Sequence, residues 1–140
     1  MFELVYYSII NTQKGKTSIQ IMDEILSKSR EFNSHKNITG CLLFRNNVFL
    51  QLLEGKKEDV QNLYSSIKKD NRHSNVTLII EQDVEERMFP DWSMAFYEST
   101  NTNADMNQFI KNIIFFSENS DKQTEATDLF LRMAKHISIK

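Results

Sequence analysis

The residue that stands out for chemistry is Gln51. It sits in Val48-Phe49-Leu50-Gln51-Leu52-Leu53, a run that is apolar at both alternating sets of positions. A strand of that kind is covered on both faces, so the Gln51 amide is predicted to be buried. An amide buried without partners costs about 1–3 kcal/mol by mutational estimates. Something must therefore accept from its NH2 and donate to its carbonyl. Tyr6 lies in the apolar stretch Phe2 to Ile10 and shares a strand face with Leu4 and Ser8. If these two strands are neighbours, the Tyr6 hydroxyl can meet the Gln51 amide. One reading is a hydrogen bond that pins two core strands; the other is a polar pair held for a ligand.

The remaining chain says which elements would position that pair. Phe2 to Ile10 reads as a covered strand, and Asn11 to Thr17 as a polar loop with Gly15. Ser18 to about Asn33 has Ile19, Met22, Ile25, Leu26 and Phe32 at helical spacing, with Thr17 or Ser18 to cap its first turn. Ile38 to Phe44 and Val48 to Leu53 are predicted strands joined by Arg45-Asn46-Asn47, and Asn tolerates the positive φ that a hairpin turn needs. Glu58 to Lys69 is a second helix, with Val60, Leu63, Tyr64 and Ile67 on one face. Asn75 to Glu81 is a fourth strand and Trp92 to Tyr97 a fifth. The order strand-helix-strand-strand-helix-strand is the α+β, ferredoxin-like βαββαβ pattern, with the first and third strands adjacent at the sheet centre and both helices on one face. Residues 1–97 form the predicted domain. Residues 98–140 are predicted to add a helical hairpin, from Met106, Phe109, Ile110, Ile113 and Phe116 and from Ala126, Leu129, Phe130, Met133 and Ile137.

Composition narrows the classes of function. The 140 residues carry a net charge of −2, which argues against direct nucleic-acid binding. No apolar run reaches the roughly 18 residues that a membrane span needs. No secretory leader pattern is seen at the start, so the cytoplasm is the expected location. The lone Cys41, within Ile38-Thr39-Gly40-Cys41-Leu42-Leu43-Phe44, reads as a small buried apolar residue. His35, His73 and His136 lack close metal-ligand spacing, and no nucleophile–base pair is evident, so neither a metal site nor an enzyme is expected. With only three glycines, Gly15, Gly40 and Gly55, the chain has no Gly-rich phosphate loop.

A flavin suits the second reading of Gln51. Its ring is flat and apolar on both faces, while its rim carries carbonyl and ring-nitrogen acceptors and one N–H donor. A slot between the two helices, with aliphatic walls such as Ile25 and Ile67, would take the faces. Side-chain amides, which donate and accept at once, would read the rim. Asn33 is a second amide near the end of the first helix, where asparagine also commonly serves as a cap.

At these residues the chain resembles a BLUF domain, the family of flavin-based blue-light sensors. The matching pieces are Leu4-Val5-Tyr6-Tyr7-Ser8, Asn33, Asn37-Ile38-Thr39-Gly40, Phe49-Leu50-Gln51-Leu52-Leu53-Glu54-Gly55, Asp70-Asn71-Arg72-His73 and Phe89-Pro90-Asp91-Trp92-Ser93-Met94. They keep the family's order and spacing across roughly residues 2–97. The resemblance implies that Tyr6 passes an electron and then a proton toward the excited flavin. It implies that the hydrogen bonds of Gln51, between that tyrosine and the ring, rearrange afterwards. Asn33 would hold the ring's polar edge, and Asp70, Arg72 and His73 would lie near its other edge. Trp92 and Met94 would relay the change from the last strand. Arg30 and Lys69 are the expected contacts for the cofactor's phosphates. The family usually carries FAD, with FMN not excluded by the sequence.

The chain departs from the family in places. Phe32 stands where many members carry a polar ring contact, Asn37 replaces a common glycine, and Asn71 a common proline. Tyr7 replaces a smaller residue and by alternation points to the opposite face from Tyr6. The resemblance implies a photoreceptor whose output is a protein partner chosen by one light state. The apolar C-terminal helices predict a homo-oligomer. The rival is a light-insensitive interaction module of the same fold, against which the intact Tyr6, Asn33 and Gln51 set argues.

Overall fold

The computed structural model describes residues 1–11, 15–45, 47–91 and 94–98. Seven elements run in order: β1 (Phe2–Ile10), α1 (Ser18–Lys36), β2 (Thr39–Arg45), β3 (Val48–Gly55), α2 (Lys57–Lys69), β4 (His73–Asp83) and β5 (Ala95–Glu98). The strands form one sheet in the order β4-β1-β3-β2-β5. The pairings β1–β3, β1–β4 and β2–β3 are antiparallel, and β5 joins the edge of β2 in parallel. This is the ferredoxin-like arrangement that the order of elements predicts. The helical hairpin expected over 98–140 lies outside the described residues, apart from Glu98.

Local chemistry sets the element ends. α1 opens on a capping box: the Gln20 N–H donates to Thr17 Oγ1 at 3.1 Å and the Thr17 N–H to Gln20 Oε1 at 2.8 Å. It closes at Asn37 in the left-handed conformation, φ 55°, with the Asn37 and Ile38 N–H groups both donating to the Asn33 carbonyl. The helix thus runs three residues beyond the predicted end, because Asn37 and not Asn33 is its cap. Asn47, φ 64°, turns the β2–β3 hairpin. α2 lacks a side-chain cap but carries Glu58 and Asp59 in its first turn and Lys68 and Lys69 in its last, each favourable to the helix dipole. β4 begins two residues before and ends two after the predicted strand. Its register against β1 slips between Val5 and Tyr6 and again between Tyr7 and Ile9, so Ile79 and Ile80 are both buried while Leu78 is exposed.

Both helices pack on one face. Ile21, Met22, Ile25 and Leu26 of α1 and Val60 and Tyr64 of α2 form one cluster with Phe2, Leu4, Tyr6, Ile10, Leu42 and Leu53 of the sheet. On the opposite face Val5, Cys41, Leu43, Leu50 and Leu52 are buried as well. At Gly40 an added Cβ would stand 1.9 Å from the Leu52 carbonyl oxygen, so only glycine lets β2 approach β3 there.

Candidate functional site

The two helices lie side by side on the sheet and leave a slot of about 470 Å³ between them, within the range of small-ligand sites. Its α1 wall carries Ile25, Lys28, Ser29, Phe32 and His35, and its α2 wall Leu63, Ser66 and Ile67. These spacings of three and four residues are those of one helix face. Tyr6 and Gln51 form the sheet side, and Asp70, Arg72 and His73 the far end. Ile25 and Ile67 thus stand on the walls where expected. Phe32, at the position where the resemblance puts a ring contact, and Leu63, on the helix face of Ile67, line it too. The sequence does not single out Lys28, Ser29, His35 and Ser66, although the helical period reaches them.

Tyr6 and Gln51 are direct partners in the β1–β3 register, and both are buried. The Tyr6 hydroxyl donates to Gln51 Oε1. That bond fixes the amide, so Gln51 Nε2 points the other way and donates to the Met94 sulfur at 3.4 Å. Burial, with the nearby Tyr64 and Asp70, pushes the Tyr6 phenol well above its ordinary value, so it stays a neutral donor at physiological pH. Its ring lies 5.4 Å from that of Tyr64, inclined at 49°.

At the far end Asp70 accepts from the Arg72 backbone N–H at 3.0 Å and pairs with its guanidinium. Burial raises the Asp70 carboxyl, but the Arg72 hydrogen bonds and charge outweigh it and leave it below its ordinary value. His73 is 6% exposed, and its Nδ1 lies 3.1 Å from Ser8 Oγ. Burial and the Arg72 charge lower its pKa against the opposing pull of Asp70, so the ring is neutral at pH 7. Asn33 is wholly buried near the end of α1 and is not among the residues that line the slot. Asn33 Oδ1 and His73 Nε2 are buried atoms that make no hydrogen bond within the described residues, while both residues have further interactions of their own. Aliphatic walls, a side-chain amide beside them and buried polar atoms at the margins fit a flat ring with a hydrogen-bonding rim.

Arg30 and Lys69 do not line the slot. Arg30 lies five residues beyond Ile25, which turns it onto another side of α1, and its Nε donates to the Met94 backbone carbonyl at 3.2 Å. Lys69 is exposed. Met94 is buried and precedes β5, which starts at Ala95 and not at Trp92; Trp92 lies outside the described residues.

A second polar centre has no counterpart among the sequence expectations. Glu54 is fully buried on the opposite sheet face. Its carboxylate accepts from the Thr39 hydroxyl at 2.9 Å and from the Met88 and Phe89 N–H groups, each at 2.7 Å. Arg87 donates to Thr39 Oγ1 and to the Asn37 and Glu54 carbonyls. An acidic residue closing the apolar run Leu50-Gln51-Leu52-Leu53-Glu54 was the available signal. Cys41, buried nearby, has its thiol pushed well up by burial and by the Glu54 charge, which makes it unreactive at neutral pH.

Fold and slot together define an α+β ligand-binding domain of the ferredoxin-like type. A profile of the family described as "BLUF: Sensors of blue-light using FAD" matches residues 1–95, and the chain belongs to the BLUF family. It is 38% identical over 75 residues to the photoactivated adenylate cyclase subunit beta of Euglena gracilis, covering 53% of this chain and 9% of that protein. It is 30% identical over 95 residues to the blue light- and temperature-regulated antirepressor BluF of Escherichia coli K12, covering 68% of this chain and 23% of that protein. The chain therefore spans only a small part of these relatives. Among solved structures, BlsA in its photo-activated state superposes with a TM-score of 0.69 at 33% identity, over 80% of this chain and 77% of that one. BlrB in its dark state, at 21% identity and a TM-score of 0.70 over 94% and 96% of the chains, shares the fold.

Proposed function

We propose that this chain is a blue-light sensor that holds FAD without a covalent bond in the slot between α1 and α2, and that it signals by rearranging the hydrogen bonds of Gln51. The observation that carries the reading is the chain Tyr6 hydroxyl, Gln51 amide, Met94 sulfur beside the slot. When bound, the flavin supplies absorption of blue light and, once excited, a strong pull on a neighbouring electron.

Tyr6 is the group placed to yield that electron. Its phenol is neutral, so loss of an electron makes the O–H acidic. The proton would leave along the hydrogen bond to Gln51 Oε1 toward the ring that took the electron. Both would return to Tyr6 once the amide has turned, leaving a neutral phenol again. Gln51 can then turn over. A phenol oxygen accepts as well as donates, so the turned amide keeps a bond to Tyr6 with its NH2 while Met94 loses its donor. An N–H to sulfur bond is weak, and little opposes that loss. Two arrangements of similar energy form the bistable element that a switch needs. Asn33, Asp70, Arg72 and His73 hold the ring's polar margins, and Lys28, on the slot wall, meets the phosphates of the tail.

Met94 stands immediately before β5, so the change is passed to that edge strand and from there, with Trp92, to a partner protein. The regulated relatives, a cyclase and an antirepressor, support an output through protein contact. The test is the absorption spectrum before and after blue light. The flavin bands should shift slightly to the red and recover in darkness, and Tyr6→Phe should bind the flavin yet show no shift. A flavin that only bleaches would refute the hydrogen-bond switch. A protein that takes up no flavin would favour the light-insensitive interaction module.

A further inference from the structure

Met94 is gripped at two points by two different elements. Its sulfur accepts from Gln51 Nε2 of β3, and its backbone carbonyl accepts from Arg30 Nε of α1. The guanidinium bond is charge-assisted and part-buried, and charge-assisted bonds are about twice as strong as neutral ones. A bond to a thioether sulfur is weak. Arg30 is thus the stronger of the two grips.

The strand after Met94 is short. β5 has four residues and, among the described residues, pairs with β2 alone, from Cys41↔Ala95 to Phe44↔Glu98. Upstream, the Glu54 carboxylate fixes the backbone at Met88 and Phe89. The chain is therefore held at Met88 and Phe89 by Glu54 and again at Met94 by Gln51 and Arg30. α1 presents one side to the slot through Ile25, Ser29 and Phe32 and another to Met94 through Arg30. The helix that walls the slot also sets where β5 begins.

We propose that Arg30 is a positioning residue of the light switch: its bond to the Met94 carbonyl fixes the start of β5 in the dark and sets the rate at which the lit form returns. This rests on the Gln51 rearrangement proposed above. Gln51 can release the sulfur while Arg30 still holds the backbone, and the held backbone keeps the sulfur within reach for the return.

The test uses the full chain with Arg30→Met, which keeps the apolar stem and removes the donors, and Arg30→Lys, which keeps the charge. In the dark, amide hydrogen exchange over residues 95–98 should quicken about tenfold in Arg30→Met, the effect of losing one charge-assisted hydrogen bond. Arg30→Lys should fall between, and β1 and α2 should be unchanged. After a blue pulse the red shift should form with its full size in Arg30→Met and then decay several-fold more slowly, with partial rescue in Arg30→Lys. Unchanged exchange at 95–98, or recovery within about twofold of the parent, overturns the proposal. Loss of flavin from Arg30→Met also overturns it, since it would place the guanidinium at the cofactor. A parent chain without a reversible shift would instead defeat the Gln51 switch and the recovery role together. Dark exchange would then still decide whether Arg30 holds β5.

Discussion

Gln51 and Glu54 stand three residues apart on β3, both buried and both polar, and they are handled in opposite ways. Glu54 is charged and over-supplied with donors: a hydroxyl and two backbone N–H groups reach its carboxylate, with Arg87 bridging the neighbouring oxygens. Gln51 has one phenol on one side and a sulfur on the other. Parity puts them on opposite faces, Gln51 toward the helices and Glu54 away from them. The lesson is that burying polarity serves two ends. Many strong, converging bonds fasten a loop to the sheet, whereas few bonds of mixed strength leave an amide with a second orientation within reach.

The sharpest way to break this contrast is Glu54→Leu. It takes the acceptor from the buried Phe89 N–H, the part-buried Met88 N–H and the buried Thr39 hydroxyl, and urea unfolding should show a loss of about 3–5 kcal/mol. A loss below about 1 kcal/mol would mean that the centre is not a fastening. Gln51→Leu should behave inversely. The substitution is close in volume and removes one partner of a neutral phenol, so stability should fall by about 1 kcal/mol, while the light-induced red shift disappears. If it cost as much as Glu54→Leu, Gln51 would belong to the fastening class.

The smallest effect concerns acid. His73 is held below its ordinary value of 6.5, so the unfolded chain takes up a proton that the folded chain resists. The stability it contributes is complete above that value and is lost as pH falls toward the folded pKa. Thermal melting of the flavin-free protein should show a lower midpoint at about pH 5.5 than at about pH 7.5, and His73→Gln should reduce the difference. An equal difference in both would remove His73 from the account.

The sequence carried much of this because its strongest signals are local. Element order and alternation put Tyr6 and Gln51 on neighbouring strands, the Arg45-Asn46-Asn47 turn foretold a positive φ, found at Asn47, and helical spacing delivered Ile25 and Ile67 to the slot. What it concealed depends on pairings remote in sequence. The Met88 and Phe89 N–H groups that satisfy Glu54 lie more than thirty residues away, and the carbonyl that takes Arg30 lies 64 residues on. A charge on a helix looks solvated, or free for a phosphate, until the segment that docks beside it is known. The two slips of β4 were equally hidden, since neither Asn75 nor Ile79 carries an obligatory bulge signal.

Those slips have a bearing on solubility. β4 is the longest strand and an edge of the sheet among the described residues. A straight edge of eleven residues with Leu78 exposed would invite strand-to-strand addition by a second molecule. The two irregularities, with Asn75 at φ 53° and acidic Glu81 and Asp83 near the strand's end, break the flat template into short pieces too bent and too charged to be copied. The kinks that cost regular pairing thus protect the chain against aggregation.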